Sequence, residues 1–157
     1  MTPRQGDKQG YVLGFVFTST PKNVLLTEKN CPDWQKGKWN GIGGKIEAGE
    51  KPIDAMVREM FEETTISISA PDWHHYATMV GDDFQCFVFA ASCFFDHFPC
   101  ACNPDTGERL LLVPISQLSR FPRLANTSFL IEAALVRDSF KHLQIGYHKN
   151  GATGQTV

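Results

Sequence analysis

The chain has 157 residues, 42% of them hydrophobic and 20% charged, with 15 Lys and Arg against 17 Asp and Glu for a net charge of -2. That size and composition suit a single domain over 1–157 with its own core, and the lack of a basic surplus argues against nucleic acid as a partner, so a polyanionic ligand would be met by local cations or bound metal. Cys31, Cys86, Cys93, Cys100 and Cys102 are odd in number and lack CxxC spacing, which reads as reduced thiols; with no signal peptide in MTPRQGDKQG and no apolar run near the roughly 18 residues of a spanning helix, the chain reads as cytoplasmic and free of membrane partners.

In chain order, Tyr11 to Thr18 and Asn23 to Thr27 are β-favouring runs around Ser19-Thr20-Pro21-Lys22, a hairpin pattern. Glu28 to Lys38, polar and broken by Pro32 and Gly37, reads as an exposed loop leading into the glycine turn GIGGK. From Ile53, apolar residues return at Met56, Val57, Met60 and Phe61, and Pro52 suits a first turn, so a helix is predicted from Pro52 to Thr64 with those apolar residues toward the core. Trp73 to Val80, Phe84 to Phe95 and Leu110 to Ile115 read as strands, the second long enough to be central, with a loop over Pro99 to Gly107. Asn126 to Leu143 has helical composition with Asn126 or Thr127 as N-cap, and the polar tail from Gly146 reads as frayed.

Within the predicted helix Glu59, Glu62 and Glu63 stand at i, i+3 and i+4, so their carboxylates share a face and repel one another unless a cation sits among them. Hard oxygen ligands so arranged suit Mg²⁺, or alternatively Mn²⁺, which bridge readily to phosphate oxygens. Arg58, one turn before Glu62, can hold that carboxylate in a fixed rotamer. Taken in isolation, such a cluster reads better as a solvated acidic face with ordinary arginine pairing.

The flanking residues separate those readings. Gly44 to Ile66 resembles the Nudix box, G(x)5E(x)7REU(x)EE(x)GU, matching at Gly44, Glu50, Arg58, Glu59, Met60, Glu62, Glu63 and Ile66, eight of its nine defined positions in register. Thr65 stands where the family has glycine, at a helix end that often needs a left-handed residue; a β-branched residue fits that conformation poorly, so either the helix ends differently or the strain is tolerated. The resemblance implies the Nudix fold, an α/β/α sandwich with a mixed sheet and the box helix against it. It also implies hydrolysis of a nucleoside diphosphate linked to another group, with metal neutralising charge on the phosphate oxygens. Glu59, Glu62, Glu63 and the carbonyl of Gly43 or Gly44 would then be metal ligands, Glu50 a supporting acid, and Arg58 the residue that orients the carboxylates. The general base would be a box glutamate, Glu59 or Glu62, with Asp105 and Glu108 as rivals. Lys45 reads either as a phosphate contact or as a solvated lysine.

The run Trp39-Asn40-Gly41 before the box resembles the MutT-type nucleotide-sanitising branch, especially the animal oxidised-purine triphosphatases, which implies a small-molecule nucleotide substrate. The Asn40 amide offers donors and acceptors to a base edge, or it stabilises the turn; Trp39 accompanies it as a substrate-side candidate, although such a residue is more often packing. Those animal enzymes use a tryptophan and two aspartates before the last helix, where this chain has Leu124, Asn126 and Thr127. Broader or different base specificity follows, because a buried polar edge left unpaired costs about 1–3 kcal/mol. A non-catalytic nucleotide or nucleotide-sugar sensor, and an ADP-ribose or nucleotide-sugar pyrophosphatase, are the competing functions. The histidines at 74, 75, 97, 142 and 148 lack metal spacing, Cys100-Ala101-Cys102 is a weak redox signal, and Asp82-Asp83 reads as a turn.

Overall fold

The structure, a computed structural model, describes residues 8–18, 23–93, 102–148 and 151–153. Its elements are β1 Gln9–Thr18, β2 Asn23–Glu28, β3 Trp39–Asn40, β4 Ile42–Lys45, α1 Pro52–Thr64, β5 His74–Val80, β6 Phe84–Cys93, β7 Leu110–Pro114, α2 Thr127–Leu135, β8 Leu143–His148 and β9 Gly151–Thr153. The strands form one mixed sheet in the order β3-β2-β1-β6-β5-β8-β9, with β4 also on β1 and β7 also on β2. β1 and β2 pair antiparallel as the hairpin pattern requires, with Phe17 opposite Val24; the turn residues 19–22 lie outside the described residues.

β1 is apolar at nearly every position because both faces of the sheet are covered. Val12 and Val16 pack with Met56 and Met60 of α1, while Leu13, Phe15 and Phe17 pack with Leu130 and Ile131 of α2. This is the predicted sandwich, with the box helix on one face. β1 runs parallel to β6, from Gln9 opposite Phe84 to Thr18 opposite Cys93, so the long aromatic run is central as expected; Phe94 and Phe95 lie outside the described residues.

Several expectations need correcting. The helix predicted over Asn126 to Leu143 stops at Leu135, followed by a 3-10 turn at Arg137–Ser139 and then β8. Val136, Asp138 and Ser139 are weak helix formers, and Arg137 donates to the Ala134 carbonyl at 2.7 Å, satisfying an end group of the helix. The tail is not frayed through His148: the open edge of β5 takes Leu143 to Gly146 in parallel, and β9 pairs on β8. Asn126 occupies the N-cap position of α2 without a side-chain capping bond. On α1 the buried face is Ala55, Met56, Met60, Glu63 and Thr64, while Phe61 is 53% exposed, because the helix is rotated to turn Glu63 inward. No described helix is long and apolar enough to cross a membrane.

Candidate active site

α1 spans the predicted residues, with Pro52 at its start, and it ends in the left-handed turn that the box glycine would serve: Thr65 has φ 64° and ψ 7°. The chain therefore bears the strain rather than ending the helix differently. Its neighbour secures the end, since the Thr64 hydroxyl donates to the Met60 carbonyl at 2.6 Å and accepts from the Ile66 N–H at 3.1 Å.

Arg58 organises the acidic face more widely than the sequence suggested. Its guanidinium donates to both Glu50 oxygens at 2.8 and 2.9 Å, to Glu59 at 2.8 Å, to Glu62 at 3.1 Å and to the Lys45 carbonyl at 3.0 Å. That fork, with a further bond from the Glu47 N–H, holds the Glu50 carboxyl down at about 2. Arg58 thereby ties the start of α1, its middle and the glycine strand β4 together. Gly44 is required there for space: a Cβ on it would strike the Glu59 carboxylate.

Glu59 and Glu63 are affected in the opposite direction. Burial raises the Glu59 carboxyl against the pull of Arg58. Burial likewise pushes Glu63 up to about 8, against the attraction of Lys29, and Glu59 and Glu108 add to the rise. Glu63 is buried and its Oε2 has no hydrogen-bond partner. Glu59, Glu62 and Glu63 border a common hollow of about 200 Å³, yet among the described residues no three acidic, histidine or cysteine side chains converge closely enough to form a ready-made metal cage. The donor set nevertheless fits a divalent cation. Mutually repelling hard oxygens, one of them orphaned and buried, are what Mg²⁺ or Mn²⁺ would satisfy.

The same hollow is bordered by Asn103, Asp105, Thr106 and Glu108 from the loop before β7 and by Lys29 and Cys31 from the loop after β2. Glu108 is almost fully buried, receives the Asn30 N–H at 2.8 Å and pairs with Lys29 at 3.3 Å. Sequence reasoning named Asp105 and Glu108 only as rival bases and missed Lys29 entirely. Nothing local marks that lysine, since its partner is 79 positions away.

Beyond Lys29 and Cys31, which border both, the hollow adjoins a cleft of about 870 Å³. Its wall is apolar, with Tyr11, Leu13, Met79, Phe84, Leu130 and Tyr147 among its residues, and Asn40, Leu124, Asn126 and Thr127 also border it. The Thr127 hydroxyl donates to the Asn40 side-chain amide oxygen at 3.2 Å. Lys45 and Gly44 line the cleft too. Trp39 does not: it is buried, edge-on to Phe121 at 5.6 Å with the Arg109 guanidinium over its ring, so its part is packing and the substrate-side expectation for it is corrected.

The other conspicuous residues lie elsewhere. His75 and His142 share the Thr78 hydroxyl at 3.0 and 2.9 Å, and Asp83 borders the apolar cleft rather than the acidic hollow. Cys102 is exposed, and Cys100 and His97 lie outside the described residues.

The NUDIX domain family model matches residues 8–127, so the chain belongs to the Nudix family. It is similar to the oxidized purine nucleoside triphosphate hydrolase of Mus musculus, 40% identical over 53 residues covering 34% of this chain and 33% of that protein. To the protein of the same name from Danio rerio it is 39% identical over 57 residues, 36% of each chain. The matched segments therefore span about a third of these relatives' length. A solved MutT, from work on Aliivibrio salmonicida and Vibrio cholerae, superposes with a TM-score of 0.67 at 26% identity over 82% of this chain and 98% of its own. The NUDIX domain of Shewanella oneidensis NrtR, complexed with ADP ribose, has the same fold, with a TM-score of 0.66 at 18% identity over 83% and 88%.

Proposed function

We propose that residues 1–157 act as one cytoplasmic Nudix hydrolase domain, Mg²⁺-dependent with Mn²⁺ as an alternative, which cleaves a nucleoside triphosphate to the monophosphate and pyrophosphate. The observation that carries this reading is the junction of an apolar cleft bordered by Asn40 and Thr127 with an acidic hollow, Lys29 bordering both. A nucleotide has that polarity, with a flat apolar base at one end and an anionic chain at the other. The MutT likeness and the partial match to triphosphate hydrolases support the choice among nucleotides.

Glu59, Glu62 and Glu63 with a carbonyl of Gly43 or Gly44 would hold the metal, which when bound neutralises charge on the phosphate oxygens. Arg58 keeps Glu59 and Glu62 in place through its contacts at 2.8 and 3.1 Å, so the carboxylates need little reorganisation when substrate arrives. Glu59 takes the proton from the attacking water, its carboxylate held by Arg58 at 2.8 Å on the border of the acidic hollow. Glu108, held by Lys29 and the Asn30 N–H on the other side of the same hollow, is the rival for that step. Lys29 and Lys45 bring positive charge toward the phosphates. At the base, neutral Asn126 and Thr127 with aliphatic Leu124 give a preference broader than, or different from, oxidised purine.

The test is a panel of nucleoside triphosphates, ADP-ribose and nucleotide sugars with Mg²⁺, scoring pyrophosphate against orthophosphate. Turnover of triphosphates with pyrophosphate release is expected, and Glu59→Gln should lose roughly 100- to 10,000-fold in kcat, the range for removing a general base. Nucleotide binding without turnover of any compound would replace this reading with that of a sensor.

A further inference from the structure

The apolar cleft has an uncommitted aromatic residue at its border. Trp34 is 65% exposed, whereas Trp39 and Trp73 are 5% and 7% exposed, and Trp34 is the only tryptophan that borders the cleft. A lone exposed apolar side chain needs no explanation, but a large indole held at the edge of an open ligand cleft does. Trp34 lies in the 3-10 turn Asp33–Gln35. The Gln35 N–H donates to Pro32 at 2.8 Å and the Lys38 N–H to Gln35 at 2.9 Å, while Lys29 and Lys38 close the neck of the loop at 2.9 Å and Gly37 donates to Lys29 at 2.8 Å. The turn that carries the indole is thus hydrogen-bonded through its own backbone, so that backbone needs no ordering when a ligand arrives. The same neck carries Lys29 into the acidic hollow, so one loop supplies a cation at the anionic end and an aromatic face at the apolar end.

We infer that Trp34 is the stacking surface for the substrate's base, completing the cleft where position 124 is the aliphatic Leu124; this rests on the nucleotide reading given above. Every base has a π-face, so stacking adds affinity without reading identity, whereas Asn40 and Thr127 meet the base edge. Trp34 therefore strengthens binding of all bases, and discrimination belongs to the amide and hydroxyl pair.

The test uses the full chain with Mg²⁺, and the α,β-methylene analogues of dATP, dGTP, dCTP and dTTP as binding probes. Trp34 is the exposed emitter, so these analogues should quench the red edge of tryptophan emission while inorganic tripolyphosphate should not. Trp34→Ala should raise KM roughly tenfold for each triphosphate, with kcat within about twofold and ratios between bases within about threefold, as expected for loss of one stacking contact. Trp34→Phe should restore KM to within about threefold of wild type. If the wild type cleaves triphosphates but Trp34→Ala keeps its KM, or tripolyphosphate quenches equally, the stacking role is overturned and the function stands. If the wild type neither binds nor cleaves any nucleoside triphosphate, the function is overturned and this inference with it.

Discussion

Thr65→Gly isolates the one irregular position of the Nudix box. The left-handed backbone at Thr65, φ 64°, costs a residue with a Cβ about 1–2 kcal/mol, which glycine does not incur. Glycine returns about 0.5–1 kcal/mol through the greater freedom of the unfolded chain, so the net gain is roughly 0.5–1 kcal/mol. The Thr65 side chain is exposed, and the bonds that close the helix use its backbone N–H to Phe61 at 2.7 Å and the hydroxyl of Thr64, so little else is lost. For a chain of this size the gain corresponds to a rise in Tm of roughly 1–4 °C, read by urea and thermal unfolding. Thr65→Ala keeps the strained Cβ and loses only the β-branch, so it should gain less than Thr65→Gly, and kcat/KM of Thr65→Gly should stay within about twofold of wild type because Thr65 does not border the hollow. A loss of stability in Thr65→Gly, or an equal gain in Thr65→Ala, refutes the strain argument.

Three more outcomes follow from particular contacts. Gly44→Ala should leave urea stability within about 1 kcal/mol, since the obstructing group is the movable end of Glu59, yet lower kcat/KM on the order of 100-fold by displacing that carboxylate; unchanged kcat/KM would remove Gly44 and Glu59 from a shared site. Tyr76→Phe deletes a hydroxyl that donates to the Leu130 carbonyl at 2.8 Å in the α2-side core, and should cost about 1–2 kcal/mol in urea unfolding; no loss would mean that the bond contributes nothing net. Burial beside Phe87 and Phe89, then the neighbouring His142, holds the His75 imidazole below 6.5. The unfolded chain therefore binds this proton at a higher pH than the folded one, so the stability is present above pH 6.5 and is lost as pH falls from there through the folded value. Urea unfolding between about pH 7.5 and 5 should show a smaller acid loss in His75→Gln, and equal slopes for the two proteins would contradict it.

Part of this protein is written in short-range pattern. The extent of α1 followed from apolar spacing and Pro52, the β1–β2 hairpin from two apolar runs, and the shared face of Glu59, Glu62 and Glu63 from helical periodicity alone. Family membership lay in the spacing of the box, and the match over residues 8–127 agrees with it. Features that depend on distant partners were not legible. Phe61 matched the core pattern, yet the helix turned Glu63 inward and left Phe61 in solvent. Leu143 closed a run of helical composition and Gly146 to His148 read as a frayed tail, whereas the free edge of β5 pairs with Leu143 through Gly146.

The sequence by itself determined which groups this chain has for chemistry, because helical periodicity and motif spacing act within a few turns and need no knowledge of the rest of the fold. Tertiary structure alone decided what surrounds them. It buried Glu63 beside Glu59 and Glu108, delivered Lys29 to the same hollow, moved Trp39 into the core and left Trp34 at the border of the cleft. Burial and long-range charge are properties of the packed sheet and its loops, and they set protonation, access and ligand shape where local pattern could specify only residue type.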